Sequence, residues 1–176
     1  MDYLAIACRC LIGLIFAISA LSKIRGRQAY QEFAKSTTTL LPRHGRRLAL
    51  PALAAEFAVP VLLALPATTL AGFGLAATLL TAFAIAIAAA LRRGVRTSCR
   101  CFGASTAPLG TQHVIRNAAL IAVSATGAAL GPGNPAHPGG IAVAAVAAVV
   151  LATLVTRLDD LIDLFAPTTA TSRPSR

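Results

Sequence analysis

Charge is what this sequence has least of. Of 176 residues, 12% are charged and 56% apolar; Trp is absent and Tyr occurs twice. The charges fall in a few blocks with long uncharged runs between them, and no Asp, Glu, Lys or Arg lies between Glu56 and Arg92 or between Arg116 and Arg157. A soluble core could not bury so many uninterrupted Ala, Leu, Val and Ile residues, whereas apolar runs of about 18 residues or more read as membrane-spanning helices. Acids are scarcer still, six against 16 Lys and Arg, for a net charge of +10. A balance of that sign suits nucleic-acid binding, but its placement excludes it. The cations lie between apolar runs, where cytoplasmic loops collect Lys and Arg and anionic headgroups attract them. Met1-Asp2-Tyr3 offers no basic leader, and the first apolar run ends in Ser22-Lys23 without a small-residue cleavage site, so a retained first span is expected. There is no nucleotide-, haem- or phosphate-cradling motif, and no internal repeat of the kind that marks many transporters.

What is present divides into five candidate spans, at residues 3–22, 48–65, 70–91, 113–130 and 140–156. The expected fold class is all-α: a polytopic membrane helix bundle of four core transmembrane helices plus a fifth C-terminal one. Residues 1–130 would form the main membrane domain, 131–157 the additional span, and 158–176 a short polar tail. Two connections are basic. The first, residues 23–47, carries Lys23, Arg25, Arg27, Lys35, Arg43, Arg46 and Arg47; within it Tyr30, Phe33 and Ala34 share one side of a short interfacial helix that Pro42 ends. The second, residues 92–112, carries Arg92, Arg93, Arg96 and Arg100. The other two turns, around Pro66 and around Gly131-Pro132-Gly133, are uncharged. By the positive-inside rule the N-terminus lies outside and the C-terminus inside. That arrangement puts Cys99 and Cys101 on the cytoplasmic side, and Cys8 and Cys10 near the outer face.

The four cysteines are the first candidates for chemistry. Cys99 and Cys101, one residue apart in the second basic connection, are close enough for a tight and strained disulfide, the kind that exchanges readily. Arg96 and Arg100 beside them favour the thiolate, the nucleophilic form. A metal site is disfavoured: with His113 the pair supplies three ligands, without a fourth and without the usual two-residue gap. Cys8 and Cys10 form a second pair inside a helix, where residues two apart point to nearly opposite sides. One of them is a possible second redox thiol and the other a small apolar packer.

Charges within the spans are the second set. Glu56 must be paired or protonated in hydrocarbon. Pro60, four residues on, removes the amide that would bond its carbonyl and favours a kink there. Arg116, in the first turns of the fourth span with Asn117, is the nearest expected partner, and Arg9, inside the first span, is the other. Either a proton relay or substrate contact beside the thiols, or a structural clamp between helices, would account for them.

Several of these residues together resemble a known family. The order is an early Arg, Ser19-Ala20-Leu21-Ser22-Lys23 closing span one, Leu40-Leu41-Pro42, then Pro51 and Glu56. Arg92-Arg93-Gly94, Cys99-Arg100-Cys101-Phe102-Gly103 and Arg116-Asn117 follow. This pattern, over about residues 1–130, resembles the methylamine-utilisation protein MauE family within the wider DoxX-like group of small redox-associated membrane proteins. Arg100 departs from it, standing where Gly is commoner. The resemblance implies a multi-pass protein of a bacterial inner membrane that supports thiol–disulfide exchange and maturation of an exported partner, such as the small subunit of methylamine dehydrogenase. Cys99 and Cys101 would be the exchanging thiols, and a thioredoxin-like or exported thiol protein the partner in the lipid bilayer's company. No cofactor is evident, and a quinone has no residue pattern to support it. A non-catalytic membrane scaffold and a small-solute transporter using Glu56 are the competing classes.

Overall fold

The computed structural model describes residues 1–42, 44–94, 110–133 and 137–165, with side chains as far as Arg157. Cys99 and Cys101 lie outside the described residues. Six helices follow one another: α1 (Asp2–Ile24), α2 (Arg27–Leu40), α3 (Gly45–Ala64), α4 (Thr69–Arg92), α5 (Thr111–Leu130) and α6 (Pro138–Phe165). All except α2 are long and apolar enough to cross a membrane, and no strand occurs among the described residues. Five spans were legible in the sequence. Their ends extend further than the hydropathy runs: α1 reaches past Lys23, and α6 continues beyond Arg157 to Phe165.

Close contacts fix the helix directions. Arg9 of α1 meets the last turn of α3 and Lys23 meets its middle, so α1 and α3 are antiparallel. A Cβ added at Gly127, late in α5, would run into the ring of Phe73, early in α4, so these two are antiparallel as well. Gly140 at the start of α6 lies against Tyr3 at the start of α1, which makes that pair parallel. One end of the bundle therefore holds Lys23, α2, the start of α3, Arg92 and the start of α5. The other holds the N-terminus and the two uncharged turns.

The core follows the helical repeat. Cys8, Leu11, Ile12, Ile15 and Phe16 of α1 pack against Val59 and Leu63 of α3, Phe73, Leu80 and Ile87 of α4, and Leu120 of α5. Ala144, Ala148 and Ala152, four apart, bury a small-residue stripe of α6; stripes of this kind let transmembrane helices approach closely. A second cluster, Ala20, Phe33, Ala49 and Leu53 with Tyr30 and Ala34 beside it, seats α2. The expected apolar side of α2 is thus the side it buries, while Lys35 faces out.

Bilayer-spanning helices must satisfy their terminal carbonyls internally. At the end of α3 they are taken one by one. Thr68 Oγ1 donates to Leu62 O at 2.7 Å, Arg9 Nε and Nη2 donate to Leu63 O and Ala64 O, and Thr69 Oγ1 donates to Leu65 O at 3.1 Å. Pro66 forces Leu65 into an extended conformation (φ −100°, ψ 127°), which ends the helix where these donors wait.

A close backbone approach occurs at the start of α3, where a Cβ on Gly45 would collide with the backbone of Thr37 and Thr38 in α2. Backbone cannot step aside as a side-chain tip can. Gly45→Ala is expected to destabilise the α2–α3 seam by about 1–3 kcal/mol, the usual range for overpacking. The check is a lower unfolding temperature in detergent together with faster protease cleavage in the α1–α2 connection; an unchanged melting curve contradicts the seam.

Candidate functional site

A buried polar cluster inside the bundle is built from three helices. Ser19 and Lys23 stand four apart on α1, hence on one face, and that face continues the buried line through Ile12 and Phe16. Glu56 comes from the middle of α3 and Phe33 from α2. All three polar side chains are almost wholly buried, Lys23 at 2% exposure and Glu56 at 0%. Lys23 Nζ donates to Glu56 Oε1 at 2.6 Å, to Glu56 Oε2 at 2.5 Å and to Ser19 Oγ at 2.9 Å. Those are all three donors of an ammonium group. Ser19 Oγ in turn donates to Glu56 Oε2 at 3.3 Å. The ammonium also sits 4.6 Å from the centre of the Phe33 ring, a cation–π contact that strengthens where water is excluded.

The expected partners of Glu56 are corrected here. Neither Arg116 nor Arg9 reaches it; Lys23 does. Lys23 belongs to the buried stripe of α1 and not to the basic connection. The signal was present in the sequence, because Ser19 and Lys23 keep the four-residue register of the apolar stripe. Arg9 instead finds backbone carbonyls of α3, as a long cation in a span must find some partner.

A second polar group occupies the first turns of α5. His113, Arg116 and Asn117 are buried on the face that continues through Leu120, Ser124 and Gly127. Arg116 Nη2 lies 3.4 Å from His113 Nδ1. Asn117 is fully buried, and neither polar atom of its amide has a hydrogen-bond partner among the described residues. The antiparallel packing of α4 on α5 brings this group to the end of the bundle that also carries Lys23. The connection holding Cys99 and Cys101 starts after Gly94 and returns at Gly110, so both of its flanks belong to that end as well.

Cys8 and Cys10 are free thiols that α1 turns to different surroundings, as their spacing requires. Cys8 is buried in the core, while Cys10 is half-buried and lines a groove between α1, α3 and α6. From Cys10 to Lys23 the helix rises about 20 Å, so these thiols lie well away from the end with the buried ion pair. A smaller apolar cavity of about 300 Å³ lies between α2, α3 and α4, with Phe33, Leu40, Pro51 and Phe83 among its walls. Glu56 lines neither of these spaces.

Five helices long and apolar enough to span, packed into one bundle, define a polytopic integral membrane protein. The family model for the methylamine utilisation protein MauE matches residues 1–130, and the chain belongs to that family. The match takes in α1 to α5 and stops before α6. Searches of the curated proteins and of the solved structures found no match.

The ion pair makes a separable prediction. Removing one partner strands the other charge in a place without water, so Lys23→Met and Glu56→Leu are each expected to destabilise the bundle by about 3–5 kcal/mol. The double variant, which strands nothing, is expected to regain most of that loss. Thermal unfolding of the four proteins in detergent gives the comparison; additive losses would show that the two side chains are not coupled.

Proposed function

We propose that the chain supports thiol–disulfide exchange in the maturation of an exported partner protein, with Cys99 and Cys101 as the exchanging sulfurs. The observation that carries this reading is the family membership, whose matched residues 1–130 include both. In the forward direction a partner thiolate attacks one sulfur of the Cys99–Cys101 disulfide. That S–S bond breaks as a mixed disulfide forms. The partner's second thiol then displaces the sulfur still bound, leaving the partner with a disulfide and this chain with two thiols. A thioredoxin-like protein carrying a disulfide returns the pair to its starting state by the same steps in reverse.

The helix arrangement supports a division of labour. The Lys23–Glu56–Ser19 cluster ties α1, α2 and α3 together, and α5 brings His113, Arg116 and Asn117 to the same end, from which the cysteine-bearing connection leaves and to which it returns. We read these groups as positioning residues. The Glu56 carboxylate is engaged by Lys23 and Ser19 and faces neither cavity, which speaks against its use as the ionisable midpoint of a transporter.

The charge distribution supports an N-terminus outside and a C-terminus inside. Among the described Lys and Arg residues, Arg9 alone lies at the N-terminal end of the bundle. With that orientation Cys99 and Cys101 face the inner side, where a thioredoxin-like protein reaches them, and direct exchange with the exported client requires the opposite orientation.

Cys101→Ser leaves Cys99 able to start an exchange and unable to finish it. In cells it is expected to accumulate a higher-mass species on non-reducing gels that dithiothreitol releases. The double variant Cys99→Ser/Cys101→Ser should lack that species. If neither Cys101→Ser nor Cys99→Ser traps a partner, the redox role of the pair is wrong. A membrane-impermeant thiol reagent applied to intact cells reads the side; labelling of Cys99 and Cys101 from outside would reverse the orientation.

A further inference from the structure

At the end of the bundle away from Lys23, α1, α3 and α6 leave a groove of about 820 Å³, a volume typical of ligand sites. Pro66 and Pro132, from the two uncharged turns, stand at its upper edge. Below them its walls are small or apolar, with Gly13 and Ala17 on α1, and Ala145 and Val149 on α6. One cation interrupts this lining, the guanidinium of Arg9. Its Nε and Nη2 hold Leu63 O and Ala64 O, and no carboxylate pairs with it among the described residues. Both acceptors are neutral, so the hydrogen bonds fix the guanidinium in place without balancing its charge. Five N–H donors fill a guanidinium, which leaves donors on the groove side.

The depth of this group matters. Arg9 belongs to the second turn of α1, yet its head is drawn to the last turn of α3, beside the chain reversal at Pro66. A long cationic side chain that reaches for the interface in this way brings its charge to headgroup level while its stem stays in hydrocarbon. From Arg9 to Ala17 the groove then descends about 12 Å along α1, and no charged side chain lines that stretch.

We propose that this groove binds an anionic phospholipid, with the phosphate on the Arg9 guanidinium and an acyl chain laid along Gly13 and Ala17 between α3 and α6. A free anion would use the guanidinium alone and leave the apolar trough uncovered. An uncharged chain would cover the trough and leave the cation unbalanced. A lipid of net charge −1 answers both. The third wall belongs to α6, which lies beyond the family-matched residues 1–130. The site is therefore created by the fifth span, through the packing of Ala144, Ala148 and Ala152 that sets Ala145 and Val149 over the groove. It stands independently of the thiol chemistry.

Native mass spectrometry of the full chain, released from nanodiscs of equal parts phosphatidylglycerol and phosphatidylcholine, tests this. The expected result is one phosphatidylglycerol retained per chain, favoured over phosphatidylcholine by about five- to tenfold, as a charge-assisted phosphate contact allows. Arg9→Gln should abolish the preference and Arg9→Lys should keep part of it. Ala145→Phe fills the groove while leaving Arg9 and its hold on α3 intact, and should lower retention of both lipids. Equal retention of the two lipids by the unaltered chain overturns the proposal. So does a preference that survives Arg9→Gln, retention that Ala145→Phe leaves undiminished, or displacement of the lipid by inorganic phosphate at matching concentration.

Discussion

A lysine and a glutamate that meet where no water reaches determine much else in this bundle. Two unpaired charges at the positions of Lys23 and Glu56 would each oppose burial strongly, and only their mutual approach makes α1 and α3 compatible as neighbours. The geometry leaves little freedom. Every proton of the ammonium has an acceptor, Ser19 bridges the remaining contact to the carboxylate, and Phe33 covers the ammonium from α2. Leucines could fill the same volume, but they would allow α1 and α3 to slide along each other or rotate. A directed polar contact in an apolar surround selects one register. That selection carries onward, because α2 is seated partly on Lys23 through Phe33 and partly on Leu53 from α3.

The opposite end of the same helix pair is held by a different device. Arg9 binds the carbonyls that α3 leaves open when Pro66 stops it, and Thr68 and Thr69 take those on either side. In a soluble protein water would serve these groups. In hydrocarbon each one left bare costs several kcal/mol, so the turn needs its own donors. Arg9 and Lys23, two cations on one helix, thus pin α1 against α3 at two levels, the last turn of α3 and its middle, by unlike means. One uses a neutral acceptor pair and keeps its charge open, the other neutralises it.

Much of the architecture was legible in the sequence because hydropathy and charge placement depend on the bilayer more than on neighbours. The spans, the amphipathic α2 with Phe33 inward, and the separation of Cys8 from Cys10 by helical rotation all follow from residue spacing. The partner of Glu56 did not. Hydropathy does not distinguish Lys23 from the arginines that follow it, since it reads Lys23 as the first residue of a basic connection; only the four-residue register from Ser19 marks it. Its role depends on α1 continuing one more turn, so that the stripe through Phe16 and Ser19 reaches it. Arg9 misled for the complementary reason. A charge inside a span invites an ionic partner, and backbone carbonyls freed by a proline three helices' worth of chain away are invisible to pairwise charge reasoning. The spacing of Cys99 and Cys101 was evident, and the described residues add only the flanks, Gly94 and Gly110, that tie their connection to one end.

The polar residues of the bundle sort by end, and this constrains how any function can be shared between them. Lys23, Glu56, Ser19, His113, Arg116 and Asn117 are gathered by antiparallel packing toward the end with the basic connections. Arg9, Cys10 and the groove under α6 lie toward the other. Between the two run the apolar layers of Ile12, Ile15, Phe73 and Leu80, with exposures of 1% or less. A core packed that closely leaves little room for a side chain to swing from one end to the other. The helices α1 and α3 contribute to both ends, so a rigid displacement of either is felt at both. The ion pair and the Arg9 cap lie on these same two helices. The interactions that hold the bundle in register are therefore carried by the two helices that join its ends.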